Sequence, residues 1–171
     1  MRELILGGAR SGKSALAVQR ARSSGLAVTF VATATAGDAE MAERIARHRA
    51  ARPPNWRVVE VPIALAPALR AECAPDRLVI VDCLTLWLAN LMLAEAPLAP
   101  ECAALLDALP GLPGQVVLVA NEVGLGIVPE NALARRFRDE QGVLNQAVAA
   151  RCERVTLVAA GVALVLKGPP L

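Results

Sequence analysis

Tyrosine is absent from this 171-residue chain, and phenylalanine and tryptophan occur twice each, so aromatics make up only 2% of it. A groove for single-stranded nucleic acid needs stacking faces and a strong positive field. With a net charge of +2 the chain offers neither, which argues against nucleic acid or an anionic membrane as partner. Its four cysteines (Cys73, Cys83, Cys102 and Cys152) show no C-x-x-C or zinc-like spacing. They read as small core hydrophobes of a reducing compartment, not as staples. Long apolar runs are missing as well. The stretch from Val155 to Leu166 is too short to span a bilayer, and Arg10 and Lys13 break the first apolar run before a signal-peptide core can form. The expectation is a cytoplasmic protein with no membrane span. Histidine occurs once, at position 48.

What the chain has in quantity is aliphatic mass: 55% of its residues are hydrophobic, mostly Ala, Val and Leu. That is more apolar surface than one small domain usually hides, so a homo-oligomer and a monomer with a dense aliphatic core are both open. The length suits a single domain over residues 1–171. Short apolar runs predict strands at Glu3–Leu6, Val28–Thr33, Val58–Val61, Leu78–Val81, Val116–Ala120, Val155–Val158 and Val162–Leu166. Helical patterns lie between many of them, at Lys13–Ser23, Ala39–Ala51, Ala64–Glu72, Leu84–Ala94 and Leu133–Cys152. Strand–helix alternation predicts an α/β fold with a largely parallel sheet, and the final pair around Ala160-Gly161 reads as an edge hairpin. Four prolines between Ala94 and Gly114 predict a loop there, with a short helix at most.

The richest stretch is Gly7-Gly8-Ala9-Arg10-Ser11-Gly12-Lys13-Ser14, which follows an apolar strand and opens a helix. That is the context required of the G-x-x-x-x-G-K-[ST] phosphate loop. Its glycines let successive N–H groups face phosphate oxygens, and the new helix adds the positive end of its dipole. Lys13 then supplies a point charge for the β/γ-phosphates, and the Ser14 hydroxyl is placed to hold Mg²⁺. Asp82 ends an apolar strand; beside a phosphate loop it reads as a second magnesium ligand, the alternative being a cap for the Leu84 helix.

The segment from Asp38 to Arg52 is a predicted helix with acids first and bases last. Met41, Ile45 and His48 share a face there, with Arg44 and Arg52 one turn either side of the histidine. Cationic neighbours favour a neutral imidazole, which can attack phosphorus. On the residues alone, a solvated basic helix end carrying an incidental histidine accounts for them slightly better. Asn121-Glu122-Val123-Gly124-Leu125-Gly126 leaves a predicted strand at the carboxyl edge, where ligands of open α/β sheets bind. Glu122 there could deprotonate an acceptor hydroxyl or stabilise a turn. Arg138-Asp139 reads as a surface pair or as a substrate or subunit contact, and no N-K-x-D guanine-reading motif is present.

Taken in order, the loop Gly7–Ser14, the histidine helix, Asp82-Cys83-Leu84-Thr85-Leu86-Trp87, the Asn121–Pro129 segment, Phe137-Arg138-Asp139 and Asn145-Gln146 closely resemble the bifunctional adenosylcobinamide kinase / adenosylcobinamide-phosphate guanylyltransferases of cobalamin biosynthesis. The resemblance implies a RecA-like phosphate-loop domain of three layers and a homo-oligomer, a trimer. It implies phosphorylation of adenosylcobinamide by a nucleoside triphosphate, GTP or ATP with Mg²⁺. It also implies GMP transfer from GTP onto that phosphate through a guanylylated histidine, for which His48 is the matching position. GTP contacts implied are Gly7, Gly8, Ala9, Arg10, Ser11, Gly12, Lys13 and Ser14; Ala32, Thr33 and Ala34; Arg49, Ala50, Ala51 and Arg52; and Glu60 and Asp82. The enzyme alternative is a phosphate-loop small-molecule kinase without nucleotidyl transfer.

Overall fold

A strand buried on both faces wants an unbroken aliphatic run, and the runs at Leu4–Ile5, Leu78–Val81 and Val116–Ala120 supply it. In the computed structural model, which describes residues 1–35, 37, 39, 43, 46, 49 and 53–169, these runs form the middle of one seven-stranded sheet. The elements are β1 (Arg2–Gly7), α1 (Lys13–Ser24), β2 (Ala27–Ala32), β3 (Arg57–Glu60), α2 (Leu65–Glu72), β4 (Arg77–Asp82), α3 (Leu84–Leu93), α4 (Leu98–Ala108), β5 (Gln115–Asn121), α5 (Ala132–Arg151), β6 (Arg154–Ala159) and β7 (Val162–Lys167). Ala39, Glu43, Ala46 and Arg49 also have helical backbone, within the predicted 39–51 helix.

The strand order is β3-β2-β4-β5-β1-β6-β7. All pairings are parallel except the terminal one, where β7 runs antiparallel to β6 as the predicted edge hairpin. From β1 the chain crosses to β2 on one side, whereas β6 lies on the other. That reversal opens a crevice at the carboxyl end of β1, the place where open α/β sheets bind ligands.

Alternate residues of each strand feed opposite layers. Leu4, Val79, Val81, Val116 and Leu118 pack with Leu65, Leu69, Trp87, Leu91, Leu105, Leu144 and Val148 from α2, α3, α4 and α5. Ile5, Phe30, Leu78, Ile80, Val117 and Val119 pack instead with Ala17 and Ala21 of α1. Small alanines bring α1 close to the sheet, which sets the helix start directly beside the end of β1. Trp87 is fully buried, and its indole N–H donates to the Ile63 carbonyl at 2.6 Å. Full burial leaves that donor no water to bond, so the carbonyl is needed.

The expected loop between Ala94 and Gly114 proves to hold an 11-residue helix, α4, followed by a 3-10 turn at Leu109–Gly111. Proline breaks a helix only where its N–H would be bonded. Pro97 caps α4, Pro100 stands in the first turn and Pro110 lies beyond the last, so none meets that condition. Leu105 and Leu109 are fully buried and α4 packs against α2 and α5, making it part of the helical layer.

Candidate functional site

Gly7 has φ +154°, and a Cβ there would fall 2.2 Å from the Val158 carbonyl oxygen and 2.7 Å from Ser11 Oγ. No other residue fits that first turn of the loop, because the chain passes against β6 as it leaves β1. At Gly12 a φ of +107° turns the backbone into α1. The Ser11 N–H donates to the Gly8 carbonyl at 3.4 Å, and Gly161 in the β6–β7 turn donates its N–H to the Ser11 carbonyl at 2.9 Å. The edge hairpin thus braces the phosphate loop.

Lys13 is only 6% exposed, and its ammonium reaches back to the Gly8 carbonyl at 2.5 Å. The positive charge is therefore held over the loop's own concavity. Ser11 Oγ lies against Gly7, buried without a hydrogen-bond partner. A buried hydroxyl left unsatisfied costs about 1–3 kcal/mol, and a phosphate oxygen seated in the concavity would remove that cost. Ser14, in the first turn of α1, and Asp82, at the carboxyl end of β4, are each half-buried. Neither side chain has a hydrogen-bond partner among the described residues. A free hydroxyl and a free carboxylate are the oxygen donors Mg²⁺ takes from a protein when phosphates and water complete its shell. The residue capping α3 is Cys83, without a side-chain bond, so Asp82 does not act as a helix cap.

Other predicted contacts sort into scaffold and rim. Thr33 is fully buried, and its Oγ1 donates to the Cys83 carbonyl at 2.7 Å while accepting the Cys83 N–H at 2.8 Å. Its side chain is consumed in joining the end of β2 to the end of β4, and its backbone is engaged too, the N–H donating to the Asp82 carbonyl at 3.3 Å and the carbonyl accepting from Asn90. Ala32 and Ala34 flank it, half-buried. Arg49 and Glu60 are both exposed and form an ion pair. His48, Ala50, Ala51 and Arg52 lie outside the described residues, as do Met41, Arg44, Ile45 and the expected N-cap Asp38. Burial of Cys83 behind Asp82 pushes its thiol up to about 11, so it stays protonated near neutrality.

On the other flank of the phosphate loop, the Glu122 N–H donates to the Gly7 carbonyl at 3.0 Å. The Glu122 carboxylate accepts the N–H groups of Gly124 at 2.8 Å and Leu125 at 3.1 Å. Of the two roles open to it, turn stabilisation is the one the geometry displays. Arg138 and Asp139 bond each other at 3.0 Å as a surface pair.

Four side chains act as supports that sequence alone does not display. Asn90 of α3 donates to the carbonyls of Thr33 at 2.7 Å and Pro62 at 3.1 Å, clasping the two ends of the intervening segment. Its signal was a lone amide in an apolar helix. Thr85 Oγ1 accepts the Asn121 N–H at 2.7 Å, and Asn145 donates to the Asn121 carbonyl at 3.1 Å. Asn131 caps α5 by accepting from Leu133 and Ala134, a helix-start signal readable from its position.

Residues 3–166 match the family model "Cobinamide kinase / cobinamide phosphate guanyltransferase". The bifunctional adenosylcobalamin biosynthesis protein CobP of Pseudomonas aeruginosa is 58% identical over 173 residues, covering all of both chains. The corresponding protein CobU of Salmonella typhimurium is 39% identical, over 96% of this chain and 98% of that one. Among solved structures, the RadB recombinase superposes with a TM-score of 0.54 at 19% identity, over 91% of this chain and 73% of that one. A type III secretion ATPase gives 0.57 at 13%, over 96% and 56%. Those two likenesses show the RecA-like α/β fold. Sequence agreement along the full length narrows it, and the chain belongs to the cobinamide kinase / cobinamide phosphate guanyltransferase family.

Proposed function

We propose that the chain, acting as one domain over residues 1–171, phosphorylates adenosylcobinamide and then transfers GMP from GTP onto that phosphate, giving adenosylcobinamide-GDP. The observation that carries the reading is the phosphate loop, whose Lys13 folds back to the Gly8 carbonyl and whose Ser11 hydroxyl is unpartnered. In the first reaction the substrate hydroxyl attacks the γ-phosphorus and the nucleoside diphosphate leaves. Lys13 and the loop amides of Gly8 to Ser14 hold the phosphates in line and offset their charge. Mg²⁺, held by Ser14 and Asp82, would neutralise charge on the β- and γ-oxygens.

In the second reaction a neutral His48 imidazole attacks the α-phosphorus of GTP. An N–P bond forms, the α–β bridging bond breaks and pyrophosphate departs. Arg49, Arg52 and Lys13 neutralise the phosphates around that centre, and Ala32, Thr33, Ala34, Ala50, Ala51, Glu60 and Asp82 complete the nucleotide's surroundings. The corrinoid phosphate then attacks the same phosphorus and releases His48. A covalent intermediate lets one site exchange pyrophosphate for a bulky acceptor without holding both.

A homo-oligomer, a trimer by the resemblance, belongs to this reading. The exposed Val162, Leu164 and Leu166 of the open edge strand β7 support it. Four free cysteines support a reducing, cytoplasmic setting. His48→Ala should abolish GMP transfer while phosphorylation persists within about twofold, since an imidazole absent from the kinase step contributes nothing to it. Label transferred to protein from α-labelled GTP checks this. Retained labelling in the variant would leave a plain kinase.

A further inference from the structure

Resting on the functional reading above, we infer that the loop leaving β5, from Val123 to Pro129, is the seat of the corrinoid, its aliphatic side chains lying against the macrocycle. Leu125 is 87% exposed, Ile127 97% and Val128 58%, and Leu133 in the first turn of α5 adds 56%. A chain that buries its central strands completely leaves these four large aliphatics in water. Exposed groupings of that kind mark surfaces that bind something.

The loop is held at both ends. At its start the Glu122 carboxylate binds two successive N–H groups, those of Gly124 and Leu125. At its far end Arg135 donates to the carbonyls of Pro129 at 3.0 Å and Glu130 at 2.5 Å, and Asn131 caps α5 immediately afterwards. Side-chain hydrogen bonds thus fix the backbone on either side of the exposed aliphatics, and nothing polar lies between Val123 and Pro129.

Position selects the occupant. Asn121 pairs with Gly7 across β5 and β1, and the Glu122 N–H is bonded to the Gly7 carbonyl, so loop and phosphate site share one rim. The acceptor hydroxyl must reach a γ-phosphate held by the loop at Gly7–Ser14. The rest of the acceptor, much larger than that hydroxyl, has to extend across the carboxyl edge of the sheet. A corrin periphery carries methyl groups between amide arms, which suits a surface of isolated aliphatic side chains. A second copy of this chain has the separate β7 face available to it.

The test uses the full-length protein with Leu125→Ser and Ile127→Ser combined, and Leu125→Met with Ile127→Leu as the conservative counterpart. Adenosylcobinamide is the probe. We expect the serine variant to raise the corrinoid KM in the kinase assay by on the order of tenfold or more. The nucleotide KM, and labelling of the protein by α-labelled GTP without corrinoid, should not change. The conservative variant should restore the wild-type KM, and the sedimentation mass of all three proteins should agree. An unchanged corrinoid KM in the serine variant would overturn the seat, and so would a reduced sedimentation mass, which would make the loop a subunit contact. If the wild-type chain shows no cobinamide-dependent turnover, the functional reading fails and takes the seat with it.

Discussion

Two loops leave neighbouring parallel strands side by side, one after Gly7 and one after Asn121, and they solve opposite problems. The first curls tightly: Gly7 and Gly12 take positive φ, and Lys13 folds back to the Gly8 carbonyl, which holds a positive charge at the loop. The second satisfies its backbone with the Glu122 carboxylate and turns aliphatic side chains outward. Amides left unpaired in a protein call for a charged ligand, whereas amides paired internally free the loop to display apolar surface. One rim therefore presents a phosphate grip next to a hydrophobic platform, which suits a reaction joining a triphosphate to a large amphipathic acceptor.

The comparison breaks most sharply at Lys13. Lys13→Ala should lower both phosphorylation and GMP transfer by on the order of 10²–10³, the usual cost of removing one preorganised charge from a transition state. Steady-state kinetics of the two half-reactions would show it, and a loss confined to one of them would mean that the triphosphate is held differently in each. Glu122→Ala should act on the other loop alone. Losing two hydrogen bonds of about 1 kcal/mol each corresponds to roughly a thirtyfold rise in corrinoid KM, with nucleotide-dependent labelling of the protein intact. A rise in nucleotide KM instead would show that Glu122 serves the phosphate site.

The smallest effect concerns the scaffold behind both loops. Burial raises the thiols of Cys83 to about 11 and Cys152 to about 12. The folded state binds those protons more tightly than the unfolded one, so the stability they contribute is complete below the ordinary thiol range. It declines as pH rises from near 9 towards those raised values. Urea unfolding midpoints should therefore fall between pH 8 and pH 10, with Cys83→Ala and Cys152→Ala reducing the slope. At pH 8, thiol reagents should reach both cysteines only after unfolding.

Much of this was legible in advance because its causes are local. Seven strands and the flanking helices follow from aliphatic period and punctuation, and the phosphate loop follows from glycine, lysine and serine at set intervals. The helix at Leu98–Ala108 was not legible, since proline reads as a breaker until its distance from the helix start is known. Asn90 is one amide on an apolar helix; only the approach of Thr33 and Pro62, brought together by strand pairing, makes it a clasp. Glu122 had two roles open to it, and the neighbouring N–H groups decided between them.

The sequence by itself determined the layer architecture, the anion-binding turn and the family, because each depends on residues near one another in the chain. Only the tertiary structure decided what stands beside that turn. It set the edge hairpin bracing Ser11 through Gly161, the Thr33–Cys83 link beneath Asp82, and the Leu125–Val128 surface sharing a rim with Gly7. Those neighbours are joined by strand order, and strand order is settled by how whole faces of the sheet are buried, which no short stretch of residues encodes.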